Sequence, residues 1–454
     1  MHLKKKGRNL PTFLRNNKAI ILIAALGLLL RIGFFIVVQP WNEQVLRETI
    51  LVGDPDGYHN MALSLINSGS FSYQKYMPFE QIKADVSAER TPGYPLFVSF
   101  VYFLFGVKPW LVILCQLLIN VGSLILIYIL AIKVFDKKIA LIAALLYAVE
   151  PHAITLSVAF MTDTLFTFAF LASMVIFIYG IENKRITLFL LFGFILGLST
   201  LIRPITKFFP IMMIGLICIY PGINWPFRFK AVAGFIFVFM LAISPWLFRN
   251  YFGFNHFSLS SMQGKQLLSR YVAKAEADRS GKSLEQIKTE LREIADKRGI
   301  NQTDNLFDRS RIYSDIAKAY YIAHWKFYIP QHIVKGAMKM FLSPGTQRIT
   351  NRFDLESEAV MRVLVGGFLA ATYVAFFFGS VLMIYRRNYR FLIAILFVFL
   401  YFVTIIGPLG SVRFKAPLTP FYIIISAAGL FEIFRFTRSY LGKALRLKRG
   451  KLDF

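Results

Sequence analysis

Positions 19–38 read AIILIAALGLLLRIGFFIVV, an unbroken apolar run interrupted by a single charge, Arg31. A helix crossing the hydrocarbon core of a bilayer needs about 20 mostly apolar residues, and runs of this kind recur along most of the 454-residue chain. Lipid leaves no partner for an open backbone, so such runs must fold as helices. The chain therefore reads as an all-α polytopic membrane protein. Charged residues make up 17% of it, against about 25% in soluble domains. The first run follows a basic leader, exceeds the apolar region of a signal peptide and lacks a following small-residue cleavage site, so it reads as a retained span. Cys115 and Cys218 lie within apolar runs and indicate neither a disulfide framework nor a zinc site.

The net charge of +27 would suit nucleic acid if it formed one patch. Instead, Lys4, Lys5, Lys6, Arg8, Arg15 and Lys18 precede the first run, and seven Arg and Lys residues from Arg435 to Lys451 follow the last. Short basic loops lie between, at Lys133/Lys137/Lys138, Lys184/Arg185, Arg228/Lys230 and Arg386/Arg387/Arg390. Basic short loops mark the cytoplasmic side and favour anionic lipid. The expected partner is the membrane, with no nucleic acid. Both termini are expected in the cytoplasm of a bacterial or archaeal plasma (inner) membrane, the working face looking outward. The expected spans, roughly ten, are 19–38, 109–132, 139–160, 163–182, 186–202, 205–221, 229–247, 359–384, 390–408 and 414–434. The run 92–106 is short and is expected to dip into the outer leaflet; counting it as a crossing gives an eleven-span alternative.

This topology divides the chain into a basic leader, 1–18, and a transmembrane module, 19–247, with outer loop 39–91. A second outer loop, 248–358, is followed by C-terminal spans, 359–434, and a basic tail, 435–454. In the second loop, Ser283 and Gln286 form a capping box and Gly299 closes the helix. The run 324–344 reads as an amphipathic helix on the membrane surface. No repeats appear.

Ionisable residues collect on the outer face. Asp54 and Asp56 lie in the turn GDPDGY, four and two residues before Tyr58, and ERTPGYPLF (89–97) carries Glu89, Arg90 and Tyr94. Asp163 sits in MTDTLF, while Arg203, Arg249, Lys265, Arg413 and Lys415 lie at the outer ends of other spans. Ions at this depth are costly and face a cavity or a partner. Acids and cations together suit a substrate that is both phosphate-bearing and greasy. Each residue also has a structural role open to it. Asp54 or Asp56 can cap the helix that follows, Asp163 can cap its own span, and Arg90 can pair with Glu89. Arg31 can reach the site or neutralise Glu150, and His152 reads as a satisfied buried histidine.

The order of a first span, D-x-x-x-Y-x-x-x-A-x-x-L-x-x-x-G, R-x-P-G-Y-P-L-F and then T-D-T-L-F resembles glycosyltransferases of the GT-C superfamily. The similarity is to the branch of protein mannosyltransferases and lipid A aminoarabinose transferases. SPWLFRNYFGF (244–254) and GSVRFKAPLTPF (410–421) are similar to later motifs of that branch, although Arg-Thr-Pro stands here where the aminoarabinose enzymes have Lys-Pro. The resemblance implies transfer of a monosaccharide from a polyprenyl-phosphate sugar to a lipid, glycan or protein acceptor. It implies that Asp54 is the base of an inverting reaction, with Asp56 as the second candidate. Arg90, Arg203, Arg249 and Arg413 would bind the donor phosphate, and Tyr58, Glu89, Tyr94, Asp163 and Lys265 would bind substrate or support the site. No cofactor is required, and a divalent cation at Glu89 is compatible. Two other classes fit a basic polytopic chain. A polysaccharide polymerase or ligase would rely on Arg249, His324 and His332, and a lipid-linked saccharide flippase would show repeats and short outer loops.

Overall fold

The computed structural model describes residues 18–72, 87–345, 358–387, 389–407 and 411–449. The leader residues 1–17, positions 73–86 of the first expected loop and the end of the basic tail lie outside the described residues. Among the described residues, regular structure is helical throughout. Six helices are long and apolar enough to cross a membrane: Lys18–Val38, Pro109–Val134, Thr162–Asn183, Trp225–Phe254, Ala359–Tyr385 and Val412–Ser439. The chain is an integral membrane protein. A seventh candidate is a pair, Lys137–Ala148 and Pro151–Val158, bent by 52° at Pro151. The remaining expected spans correspond to shorter apolar helices, Ile186–Ile202, Phe209–Ile219 and Phe391–Ile406. The run expected to dip is the helix Gly93–Phe105; its 13 residues reach only about 20 Å at the α-helical rise, short of the bilayer core.

The bend in the seventh candidate has a local cause. Pro151 cannot continue the hydrogen-bond ladder, and Glu150 caps the new helix through the Ala153 amide. Carbonyls at the end of the first half are met by Arg31. Its guanidinium donates to Ala148 O at 3.0 Å, Tyr147 O at 3.3 Å, Gly27 O at 2.8 Å and Asn120 Oδ1 at 2.7 Å. Arg31 is fully buried, and its hydrogen-bond partners are structural: two carbonyls at the end of the first half, Gly27 O on its own helix, and Asn120. Arg31→Met takes this donor from Ala148 O and Asn120 Oδ1, at about 1–3 kcal/mol for each one left buried and unpaired. The variant is expected to melt at a lower temperature in detergent, with an unchanged KM in the protein that remains folded.

The helices enclose one apolar core in which Phe166 stacks on Phe170 and both meet Phe402, with Phe209 and Phe421 edge-on to Phe170. A second, smaller core lies within residues 268–328, where Leu268, Val272, Ile287, Leu291 and Ile316 are buried together. The helix Leu284–Lys297 there carries the expected capping box, with Ser283 and Gln286 bonded reciprocally and Gly299 left-handed at φ 79°. Its buried stripe is Ile287, Leu291 and Ala295, while Leu284 at its start is exposed.

Candidate active site

The site forms where three chain segments meet the start of the helix Thr162–Asn183, which carries Asp163, and the end of the helix Ile186–Ile202, which Arg203 follows. The first is the helix Asp54–Ser68, which opens at Gly53 without a side-chain cap. Neither aspartate caps it: Asp54 lies in the first turn, where the helix dipole favours an anion, and Asp56 Oδ1 accepts from Asn60 Nδ2 at 3.0 Å. The second is the stretch from Glu89 to Gly93. Thr91 Oγ1 donates to Ile202 O at 3.3 Å. A Cβ on Gly93 would come within 2.7 Å of the Ile202 backbone nitrogen, so only glycine lets these backbones approach. That contact brings the segment of Arg90 to the end of the helix Ile186–Ile202, which Arg203 follows. The third is the tight 3-10 segment Val412–Leu418, which carries Arg413.

Two carboxylates and three guanidiniums interlock there. Arg90 Nη2 donates to Asp54 Oδ1 at 2.9 Å, and Arg413 Nη1 reaches Asp54 Oδ2 at 3.5 Å. Arg203 Nη1 donates to Asp163 Oδ1 at 2.7 Å. Arg413 Nε sits 2.9 Å from Asp163 Oδ2, an ion pair whose angle falls outside hydrogen-bond geometry. Arg413 thus bridges both acids. The two differ in access: Asp163 is fully buried, whereas Asp54 keeps 35% of its side-chain surface exposed. Burial alone would raise the Asp54 carboxyl. The charge and hydrogen bond of Arg90, with the charges of Arg413 and Arg270, outweigh it and hold Asp54 below the usual carboxylate range.

Arg90 is fixed from below as well. Its guanidinium lies 4.5 Å from the Tyr58 ring centroid, and Tyr58 packs edge-on against Tyr94 at 4.9 Å. Tyr94 in turn donates to Gln116 Oε1 at 2.6 Å. The guanidinium also passes over Gly57, where a Cβ would lie 3.2 Å from Nε and 3.3 Å from Nη2. Gly57→Ala therefore presses on the movable end of Arg90 while the backbone keeps its room. It is expected to lower turnover about tenfold, on the scale of a disturbed charge-assisted contact, with an unchanged melting temperature; thermal unfolding and initial rates check both. Burial pushes His59 down to about 4, so the imidazole is neutral beside the Tyr102 hydroxyl at 2.7 Å.

The other expected residues lie apart from the carboxylates. Arg249 stacks on Trp246 at 4.5 Å and donates to Phe71 O at 3.2 Å and to Asn250 Oδ1 at 2.7 Å. Lys265 is exposed. Glu89 is tied by its backbone, accepting from Ser260 Oγ at 2.5 Å; the ion pair of Arg90 runs to Asp54. Among the described residues, no group of three or more His, Cys, Asp or Glu side chains could hold a metal ion. His332 is bonded to Tyr321 and to Thr404 O. His152 is satisfied, facing Glu150 at 3.1 Å and donating to Pro344 O at 2.8 Å.

Arg270 is a charge near the site that the sequence did not single out. Its charge reaches Asp54 from a segment whose pattern, QLLSRY, carries no feature of a site. The bridging role of Arg413 was likewise hidden. The polar residues Gln116 and Asn120, four apart in a mostly apolar helix, did carry a signal: both are buried, Gln116 accepting from Tyr94 and Asn120 from Arg31.

Residues 89–248 match the family model described as dolichyl-phosphate-mannose-protein mannosyltransferase. The match begins at the segment that carries Arg90. No curated protein matches the sequence. Among solved structures, the oligosaccharyltransferase of Archaeoglobus fulgidus in complex with Zn and sulfate is similar at 18% identity and a TM-score of 0.52, over 94% of this chain and 51% of that one. The same enzyme tethered to an acceptor peptide containing the NVT sequon matches at 16% identity and a TM-score of 0.51, over 93% and 50%. ArnT from Cupriavidus metallidurans bound to undecaprenyl phosphate has 14% identity and a TM-score of 0.44, over 91% and 77%. The chain spans about half the length of the oligosaccharyltransferase whose fold it shares. The stretch 89–248 is thus similar to the mannosyltransferase family, and the chain shares the fold of the oligosaccharyltransferase.

Proposed function

We propose that this chain is a membrane glycosyltransferase that moves a monosaccharide from a polyprenyl-phosphate donor to a hydroxyl of a lipid, glycan or protein on the outer face of the membrane. The observation that carries this reading is the charge balance of the site. Three guanidiniums, all nearly buried, surround two carboxylates, leaving one positive charge unbalanced in a place that penalises it. A sugar phosphodiester of a prenol brings one negative charge. Its cleavage to a phosphate monoester brings a second, and cations held in place stabilise that gain in the transition state.

The acceptor oxygen attacks the anomeric carbon, and its proton passes to the Asp54 carboxylate. The bond from that carbon to the phosphate oxygen breaks, and the electron pair leaves with the prenyl phosphate. Attack opposite the leaving group inverts the anomeric centre. Exposure selects Asp54 over Asp163 as the base, because an acceptor can reach only the former. A carboxylate paired with two arginines is a weak base. A donor phosphate that draws on Arg90 and Arg413 loosens those pairs and raises the basicity of Asp54 when substrate is present. Asp163 holds Arg203 and Arg413 in position.

The pH profile tests this reading. A depressed Asp54 stays ionised as pH falls through the ordinary carboxylate value of 3.8, so the acid limb of kcat/KM lies below that value in the wild type. Arg90→Gln removes the largest of the charges that depress it, so the acid limb is expected to move up. In the same variant, kcat should fall and KM for a short-chain prenyl-phosphate sugar should rise. Arg90→Lys recovers only part of the loss, because the guanidinium fork is gone. An acid limb that stays in place, with kcat unchanged, would remove Arg90 from the phosphate site.

A further inference from the structure

A second cluster of cations lies away from the carboxylate site. The helix Ala273–Ser280 and the broken run of helix from Trp325 to Leu342 enclose a pocket lined by Lys274, Asp278, Gln331, Lys335 and Lys339. Lys335 Nζ pairs with Asp278 Oδ2 at 3.2 Å. Lys274 and Lys339 face each other, and neither forms an ion pair with a carboxylate among the described residues. Burial and the neighbouring Lys274 push the Lys339 ammonium down to about 8. The nearby acid Glu276 is turned away, held by Arg279 at 2.6 Å and by the Tyr328 hydroxyl at 2.7 Å.

The pocket is tied to the end of a membrane helix. His332 Nδ1 accepts from the Tyr321 hydroxyl at 2.7 Å, and its Nε2 donates to Thr404 O at 3.0 Å. Tyr271 donates to Ile406 O at 2.7 Å, and Tyr373 donates to Phe341 O at 2.7 Å. Both acceptor residues on the first side, Thr404 and Ile406, close the helix Tyr389–Ile406. Along the Trp325–Leu342 run, Trp325, Ile329, Val334, Met338 and Leu342 are exposed and fall at helical spacing. An apolar face of this kind, at the end of a membrane helix and with lysines beside it, is the arrangement of a segment lying in the headgroup layer.

We infer that Lys274 and Lys339, with Lys335, form a binding site for the phosphate of an anionic lipid headgroup, whose acyl chains lie along the exposed apolar face of the Trp325–Leu342 run. The site is independent of the transfer chemistry. Two facing ammoniums repel one another until an anion lies between them, and three lysines against one aspartate leave charge to spare for a phosphate. Inorganic phosphate offers the same anion without the chains.

The test is lipid binding to the full-length chain in neutral detergent, counted by native mass spectrometry during titration with phosphatidylglycerol or phosphatidylcholine. Phosphatidylglycerol is expected to bind at least about tenfold more tightly, on the scale of one or two charge-assisted contacts. Lys274→Gln/Lys339→Gln should abolish that preference, and the preference should weaken as pH rises above about 8, where Lys339 loses its proton. Lys318→Gln/Lys326→Gln, which neutralises two exposed lysines outside the pocket, should leave it intact. Equal loss in both double variants would assign the preference to diffuse surface charge, and an undiminished preference in the first would overturn the site outright. Full competition by inorganic phosphate at the lipid's own concentration would reassign the pocket to a soluble anion and overturn the lipid assignment.

Discussion

Asp54→Asn is expected to lower sugar transfer about a hundredfold or more, the range lost with a general base, while the protein inserts and purifies as before. The substitution is nearly isosteric, and the amide oxygen still accepts from Arg90, whose Nη2 lies 2.9 Å from Oδ1. What disappears is the capacity to take the acceptor's proton. Binding should survive better than turnover, because a neutral side chain frees Arg90 and Arg413 for the donor phosphate. KM for the donor should therefore hold steady or fall as kcat collapses, the pattern of an interaction needed only in the transition state. Asp56→Asn, whose wild-type oxygen accepts from Asn60 at 3.0 Å, should cost far less. Initial rates of prenyl-phosphate release measure both; a larger loss at Asp56 would exchange the two roles.

Arg413→Gln is expected to produce a loss of similar size by a different route. Among the described residues, Arg413 alone pairs with both carboxylates, at 3.5 Å from Asp54 and 2.9 Å from Asp163. Without it, Asp163 keeps only Arg203, and one cation facing the leaving phosphate is gone. Removal of one preorganised contact to developing charge costs roughly a hundred- to a thousandfold in kcat. Loss of the bridge also leaves a buried carboxylate half-compensated, so the variant should melt earlier. Arg413→Lys restores the charge but cannot span two acids, and is expected to recover stability more fully than turnover. Parallel measurement of melting temperature and kcat separates the two effects. A variant that melts earlier with normal kcat would leave Arg413 a structural brace.

Different parts of this site were legible in the sequence to different degrees, for physical reasons. Asp54 and Arg90 stood out because each lies in a Gly- and Pro-rich turn beside an apolar helix, where an ion has a purpose or a high cost. The capping box of Ser283 and Gln286 was legible because its partners are three residues apart. The bridge by Arg413 was not, since 359 positions separate it from Asp54 and no local pattern encodes the meeting. Arg249 shows the converse. It occupies the same kind of span end as Arg203, yet its neighbours include Trp246 and Phe71, whose faces hold it away from the carboxylates. The number of crossings is obscured by the same physics. A bent pair such as Lys137–Ala148 and Pro151–Val158 has the hydropathy of one straight span, and the break is set by Pro151, Glu150 and the remote Arg31.

Mass analysis of glycolipids and glycoproteins tests the central claim most directly, in cells that lack this protein and carry either the wild-type gene or Asp54→Asn. The wild type should restore one glycoconjugate and keep its prenyl-phosphate monosaccharide at a low level. Asp54→Asn should match cells without the protein, with the product missing and the prenyl-phosphate sugar accumulated. Restoration of the product by Asp54→Asn, or loss of a product with no prenyl-phosphate sugar accumulating, would contradict the assignment of Asp54 as the base of a prenyl-phosphate-dependent transfer.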